Sequence, residues 1–324
     1  MPDFKHMMET YKKNDIIKEI EKCGFQCRVE TNVCLSEHTS FKIGGKTDIL
    51  FTPDSIDDII RATTFCKEYH IPVFILGNGT NVLVSDSGYR GMVIKLGGQL
   101  NEMKTEGDKI ITGAGASVEE VTRFALEQKL TGLEFAYGIP GSVGGAVFMN
   151  AGAYGFEMKN VVSRTVYLDE EGNIGIIDNK SHLFGYRTSC FQNSGQIILE
   201  VEFQLQHGVY EEIETKMKEN MQKREKNQPL EMPSAGSVFR RPEGKFVGPM
   251  IEECGLKGYS IGGAQISEKH AGFIINRGMA SADDVLNLIA YIKDEVLQKF
   301  NVELHPEIKF VGDYSKVLQE SVTI

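Results

Sequence analysis

The chain has no tryptophan, and only six cysteines and nine prolines occur among its 324 residues. Cys23, Cys27, Cys34, Cys66, Cys190 and Cys254 are too few and too scattered in so long a chain to build a disulfide framework, so reduced thiols are expected. Cys23, Cys27, Cys34 and His38 cluster, but a structural zinc site needs a second closely spaced ligand pair and none follows, so no metal is expected. Long apolar runs are missing too. The best window, Val285 to Phe300, is broken by Asn287, Lys293, Asp294 and Glu295, which excludes a membrane helix there. The first residues lack the apolar stretch of a signal peptide and the Ser/Arg bias of a transit peptide, and a cytoplasmic location is the expectation. Positive charge is scarce: 35 Lys and Arg against 45 Asp and Glu leave a net charge of −10, with no basic stripe. Nucleic acid is therefore not an expected partner.

What is present is a globular composition, 41% hydrophobic and 25% charged, in a chain long enough for two domains. Ile16, Ile17, Ile20 and Cys23, stopped by Gly24, predict a first helix. Ser55 with Asp58 forms a capping-box pattern opening a helix to about Tyr69. Short strands are expected at Thr47 to Pro53, Pro72 to Leu76, Val82 to Val84 and Met92 to Leu96. Further strands are expected at Lys109 to Thr112, Val161 to Leu168 and Ile197 to Leu205, with a helix from Ser117 to Lys129. Beyond a boundary near His207, a helix from Glu211 to Lys226 places Ile213, Met217 and Met221 on its inner face. Ser281 to Phe300 reads as a long amphipathic helix and Ile308 to Val311 as a closing strand.

Glycine is unevenly spent. Gly77-Asn78-Gly79 and Gly113-Ala114-Gly115 imitate a dinucleotide-binding turn, but the third glycine is replaced by Val82 and Val118. Asn78, Gly79, Thr80 and Asn81 combine free backbone N–H groups with short polar side chains. That suits an anion-holding nest and equally suits a polar hairpin turn. Between Gly138 and Gly155, six of eighteen residues are glycine. Such density demands positive φ, close packing of backbone on backbone, or main chain laid against a flat ligand, with two glycine loops separated by Ala146 to Met149.

LGNGTNVLVSD (Leu76 to Asp86), GLEFAYGIPGSVGGAVFMNAGAYG (Gly132 to Gly155), GYRTSCF (Gly185 to Phe191), PSAGSVFRRP (Pro233 to Pro242) and LHPEIKFVG (Leu304 to Gly312) resemble, in that order, the motifs of the UDP-N-acetylenolpyruvoylglucosamine reductase family. HTSFKIGG (His38 to Gly45) extends the resemblance to the front of the chain. It implies an α+β fold with an FAD-binding region of the vanillyl-alcohol-oxidase (PCMH) type over 39–207, after a helix and lead-in over 1–38. A C-terminal α+β substrate-binding domain over 208–312 and a tail over 313–324 complete the expected organisation. It further implies FAD as cofactor, NADPH as hydride donor, and reduction of UDP-N-acetylglucosamine enolpyruvate to UDP-N-acetylmuramate.

By the same resemblance, Gly77, Asn78, Gly79, Thr80 and Asn81 hold FAD together with Gly138, Ile139, Pro140, Gly141, Ser142, Gly144, Gly145, Ala146, Asn150 and Gly152. No cysteine or histidine lies in these loops, so non-covalent FAD is expected. Arg187, Ser237 and Glu307 match the family's catalytic residues, and Tyr186, Arg240 and Arg241 are candidates for holding substrate. The short connection Gln192 to Gln196 places the chain with the class that lacks a substrate-covering tyrosine loop. Asn227 stands where the longer class has a lysine, so that contact to the diphosphate is not carried over. A monomer is the expected state. An oxidase on the same flavin scaffold and a non-catalytic flavin or nucleotide-sugar binding module are the competing readings.

Overall fold

The computed structural model describes Ile20 and residues 27–314. Most of the first expected helix and all of the tail beyond residue 314 lie outside the described residues; Ile20 itself packs with Ile49 and Phe51 in the first core.

Three sheets organise the chain. The first runs in the order Arg28–Cys34, Lys46–Thr52, Tyr89–Lys95, Val73–Leu76. Lys46–Thr52 is buried along nearly its whole length because it sits between an antiparallel and a parallel neighbour, with both faces covered. Helix Ile56–Glu68 covers this sheet with Ile59, Ala62, Phe65 and Cys66. Its start is set by the expected capping box: Ser55 Oγ accepts the Asp58 N–H, and the Asp58 carboxylate accepts the Ser55 N–H.

The second sheet is antiparallel throughout, in the order Ile174–Asp178, Val162–Leu168, Ile197–Gln204, Lys109–Gly113, Met103–Glu106. Helix Val118–Glu127, boxed by Ser117 and Glu120, shares a core with it through Val118, Val121 and Ala125. Its edge strand Ile174–Asp178 eluded the sequence reading. Ile174 and Ile176 point into solvent there, so the hydrophobic alternation carries no burial signal.

The third sheet, Ser234–Ser237, Phe273–Asn276, Ala264–Ile266, Ser260–Ile261, is also antiparallel and packs on helix Ala282–Phe300. That helix starts at a Ser281–Asp284 capping box. Asp86, from the first lobe, adds carboxylate oxygens to the N–H groups of Ala282 and Asp283.

Two connections tie the parts together. Lys309–Val311 returns from the far end of the chain to pair in parallel with Val82–Val84, and the Tyr314 hydroxyl donates to Leu83 O at 2.7 Å. Helix Tyr210–Asn227 lies beside the middle lobe, where Asn220 Nδ2 donates to Glu134 O. Its buried residues are Ile213, Met217, Asn220 and Arg224, so the inner stripe departs from the expected one: Met221 is only partly covered.

Candidate active site

Three segments distant in sequence meet at one place. The Gly77–Asn81 loop leaves the first sheet, and a Cβ on Gly77 would overlap Ser142 Oγ, so this loop and the Gly138–Gly145 segment touch only because position 77 has no side chain. Asn78 Nδ2 donates to Pro140 O at 3.3 Å across the same junction. Gly79 takes φ +65°, and its side-chain position is filled by His38 O. Among the described residues, the N–H groups of Asn78, Gly79, Thr80 and Gly141 donate to no protein acceptor. Main-chain donors left without protein acceptors are what an anion-holding nest at Gly77 requires. The Gly113 turn is different. It follows an antiparallel strand, and Leu100 O occupies the space where a Gly113 side chain would be, so it is close packing and not a dinucleotide fingerprint.

The second glycine segment is not two loops. Val143–Phe148 is a short helix, and Ser142 caps it by accepting the Gly145 N–H. Gly145 faces outward, whereas Gly144 is buried and donates to Ala114 O at 2.8 Å. A Cβ on Gly144 would stand 2.9 Å from Ala114 Cβ, so that glycine serves the close packing of this helix against Ala114. Gly144→Val is accordingly expected to cost the protein stability as well as flavin. The variant's melting temperature should fall by several degrees, and a yellow protein with an unchanged melting temperature would contradict this packing role. Asn150, expected at the cofactor, is fully buried, and protein groups use its amide: Nδ2 donates to Glu157 Oε2 and Gly185 O, and Oδ1 accepts the Lys159 N–H. Ile139 and Ala146 pack into the middle core.

Asn150 thereby steadies the hairpin that carries Tyr186 and Arg187. Gly185 and Thr188 exchange backbone hydrogen bonds, leaving Tyr186 and Arg187 at the tip, with Arg187 at φ +56°. Gln192 Nε2 holds the Arg187 carbonyl at 2.9 Å. From this tip the guanidinium reaches Glu307 Oε2 with Nε at 3.3 Å and Gly152 O with Nη2 at 3.4 Å, and lies over the Tyr186 ring.

Glu307 arrives from the opposite end of the chain. Its N–H donates to Val238 O at 2.8 Å, and its own carbonyl accepts Asn81 Nδ2 at 3.2 Å. The backbone of this one residue therefore links the chain just after Ser237 to the Gly77–Asn81 loop. Burial raises the Glu307 carboxyl above the usual range, and nearby Arg187 and Arg240 only partly offset this. Ser237 follows Gly236, which takes φ +79°, and among the described residues its hydroxyl makes one hydrogen bond, to Phe239 O at 3.5 Å.

The surrounding charge is positive. The Arg241 guanidinium stacks 3.6 Å from the centre of the Phe246 ring, and the Arg241 backbone N–H donates to the Tyr186 hydroxyl. Arg240 Nε is buried without an acceptor. Sequence reading missed two more cations. Arg224 is 7% exposed, its Nε has no acceptor, and no carboxylate pairs with it among the described residues. Burial, together with the nearby charge of Arg187, lowers its pKa despite the Tyr154 ring beside it. Its signal was available: Arg224 falls on the buried stripe of its helix at heptad-like spacing from Met217, where a charged residue is out of place. Lys309 is half-buried over the Phe148 ring and donates to Gln192 Oε1 at 3.2 Å. Burial and Arg240 hold its pKa down.

The chain is similar over most of its length to proteins of one kind. Residues 47–176 match the family model described as an FAD binding domain, and residues 228–311 match the C-terminal domain of UDP-N-acetylenolpyruvoylglucosamine reductase. The reductase of Caldanaerobacter subterraneus subsp. tengcongensis is 53% identical over 299 residues, covering 92% of this chain and 98% of that one. That of Clostridium perfringens is 48% identical over 278 residues, covering 86% and 91%. Among solved structures, the crystal structure of UDP-N-acetylenolpyruvylglucosamine reductase from Thermus caldophilus superposes with a TM-score of 0.78 at 35% identity, over 88% of this chain and 99% of that one. The expected α+β fold, a PCMH-type FAD-binding region followed by the reductase C-terminal domain, is the one found. By this similarity and by the residues gathered at the site, the chain belongs to the UDP-N-acetylenolpyruvoylglucosamine reductase family of FAD-dependent oxidoreductases.

Proposed function

We propose that the enzyme uses NADPH to reduce UDP-N-acetyl-3-O-(1-carboxyvinyl)-glucosamine to UDP-N-acetylmuramate in peptidoglycan precursor synthesis, with Ser237 as proton donor. The observation that carries this reading is the convergence of Arg187, Glu307 and the Ser237 strand, joined by the Arg187–Glu307 pair at 3.3 Å and the Glu307 N–H to Val238 O bond at 2.8 Å.

FAD, when bound, supplies hydride chemistry between NADPH and the far carbon of the substrate's double bond. Hydride addition there moves an electron pair onto the carbon bearing the carboxylate, and the resulting enolate must be stabilised and then protonated. The Arg187 guanidinium presents a planar pair of donors to a carboxylate. Glu307 engages Nε and leaves the outer edge of the guanidinium for substrate. Fixed positive charge aimed at a developing anion is usually the largest catalytic contribution. Ser237 then gives its hydroxyl proton to the carbanionic carbon. Arg224 and Arg240, buried cations short of acceptors, are met by the substrate's anionic groups, its carboxylate and diphosphate.

NADPH oxidation followed with and without oxygen, and with and without the enolpyruvyl UDP-sugar, tests the reading. Turnover that requires the enolpyruvyl UDP-sugar is expected. Oxygen-dependent turnover without it would indicate an oxidase, and no turnover under either condition a binding module.

A further inference from the structure

The hydroxyl of Ser237 is poorly held by its own contacts. A 3.5 Å approach to Phe239 O is the far limit of a hydrogen bond, and the strand is irregular just before it, with a register shift between Ser234 and Ser237. Its place is set by backbone instead. Ser237 pairs with Phe273, and the next N–H, of Val238, donates to Gly272 O at 2.9 Å. Gly272 is also held through its preceding peptide, whose N–H donates to Nδ1 of His270 at 3.1 Å. A Cβ on Gly272 would stand 3.0 Å from His270 Cε1 and 3.8 Å from Ser237 Oγ, so imidazole and hydroxyl flank the same bare glycine.

The imidazole is itself fixed. Its ring meets Phe273 edge-on at 5.0 Å, Gly248 lies against Cε1, and the His270 N–H donates to Ser267 Oγ at 3.3 Å. A ring that accepts an amide N–H at Nδ1 carries its proton on Nε2 and is neutral.

We propose that His270 is a positioning residue for the proton donor: by accepting the Gly272 N–H at Nδ1, it fixes the residue whose carbonyl holds the strand of Ser237 in register. This rests on Ser237 being the proton donor. It requires His270 to act on one half-reaction only, and only through Ser237.

In the FAD-loaded enzyme, His270→Ala should leave flavin reduction by NADPH unchanged and slow reoxidation by the enolpyruvyl UDP-sugar by about 10- to 100-fold, the usual effect of a misplaced reacting group. His270→Asn, whose amide oxygen can accept the same N–H, should recover most of that loss. Combined with Ser237→Ala, His270→Ala should add nothing further, because the group it positions is gone. A readout independent of turnover is amide hydrogen exchange: the Gly272 and Val238 N–H groups should lose protection in His270→Ala and keep it in His270→Asn.

Additive slowing in the double variant, equal slowing of both half-reactions, or unchanged exchange at Gly272 overturns the proposal, as does loss of the fold in both His270 variants. If Ser237→Ala alone leaves reoxidation untouched, the proton-donor reading fails first, and that result is distinct from the others.

Discussion

Ser237→Ala is expected to reduce its flavin with NADPH at the normal rate and to reoxidise it with the enolpyruvyl UDP-sugar about 10² to 10⁴ times more slowly, the range for a lost general acid. The asymmetry follows from where the hydroxyl acts. NADPH gives up a hydride without needing a proton from the protein, whereas the substrate's enolate must receive one. Binding of the UDP-sugar should weaken little, since the hydroxyl makes its main interaction in the transition state. Its loose ground-state contact, 3.5 Å to Phe239 O, leaves its proton free for transfer. Stopped-flow absorbance resolves the two halves. Equal slowing of both would assign Ser237 a structural part near the flavin, and no slowing would pass the proton to another group. Ser237→Cys should recover part of the rate, because a thiol is the stronger acid.

Arg187→Lys should lose much more than tenfold in turnover although the charge is kept. Lysine has no Nε to engage Glu307, so the 3.3 Å pair that orients the group disappears, and a point ammonium cannot match a planar carboxylate with two donors. The backbone argues the same way. Position 187 holds φ +56°, a conformation that costs a non-glycine residue roughly 1 to 3 kcal/mol. The hairpin, Asn150 and Gln192 impose it whatever the side chain, so the lysine would inherit the strain without the contacts. A decrease below about tenfold, roughly 1.4 kcal/mol, would show that charge alone suffices.

Local structure was legible wherever it is decided by residues close in sequence. The helices at Ile56–Glu68, Val118–Glu127 and Ala282–Phe300 begin where Ser55, Ser117 and Ser281 predicted, because a capping box satisfies its donors within four residues and needs no partner elsewhere. Buried strands such as Val82–Val84 announced themselves by apolar runs between turn residues. The edge strand Ile174–Asp178 did not, because its isoleucines face water. The protein contacts of Gly144 and Asn150 were hidden for a related reason. Composition marks a glycine or an amide as special, but only the packed neighbours, Ala114 for one and Glu157 with Gly185 for the other, decide whether it meets a ligand or the protein.

What the amino-acid sequence determined by itself is therefore most of the elements and the motifs that mark the family, and through that resemblance it offered Arg187, Ser237 and Glu307 as candidates for the reaction. Their meeting was decided by tertiary structure. Lys309–Val311 must cross back to Val82–Val84 before Glu307 can touch both Asn81 and the Ser237 strand, and that parallel pairing joins segments at opposite ends of the chain. The burial that raises the Glu307 carboxyl and leaves Arg224 without a counter-ion exists only once the lobes have closed around them. Desolvation depends on everything packed nearby, and no local run of residues encodes it.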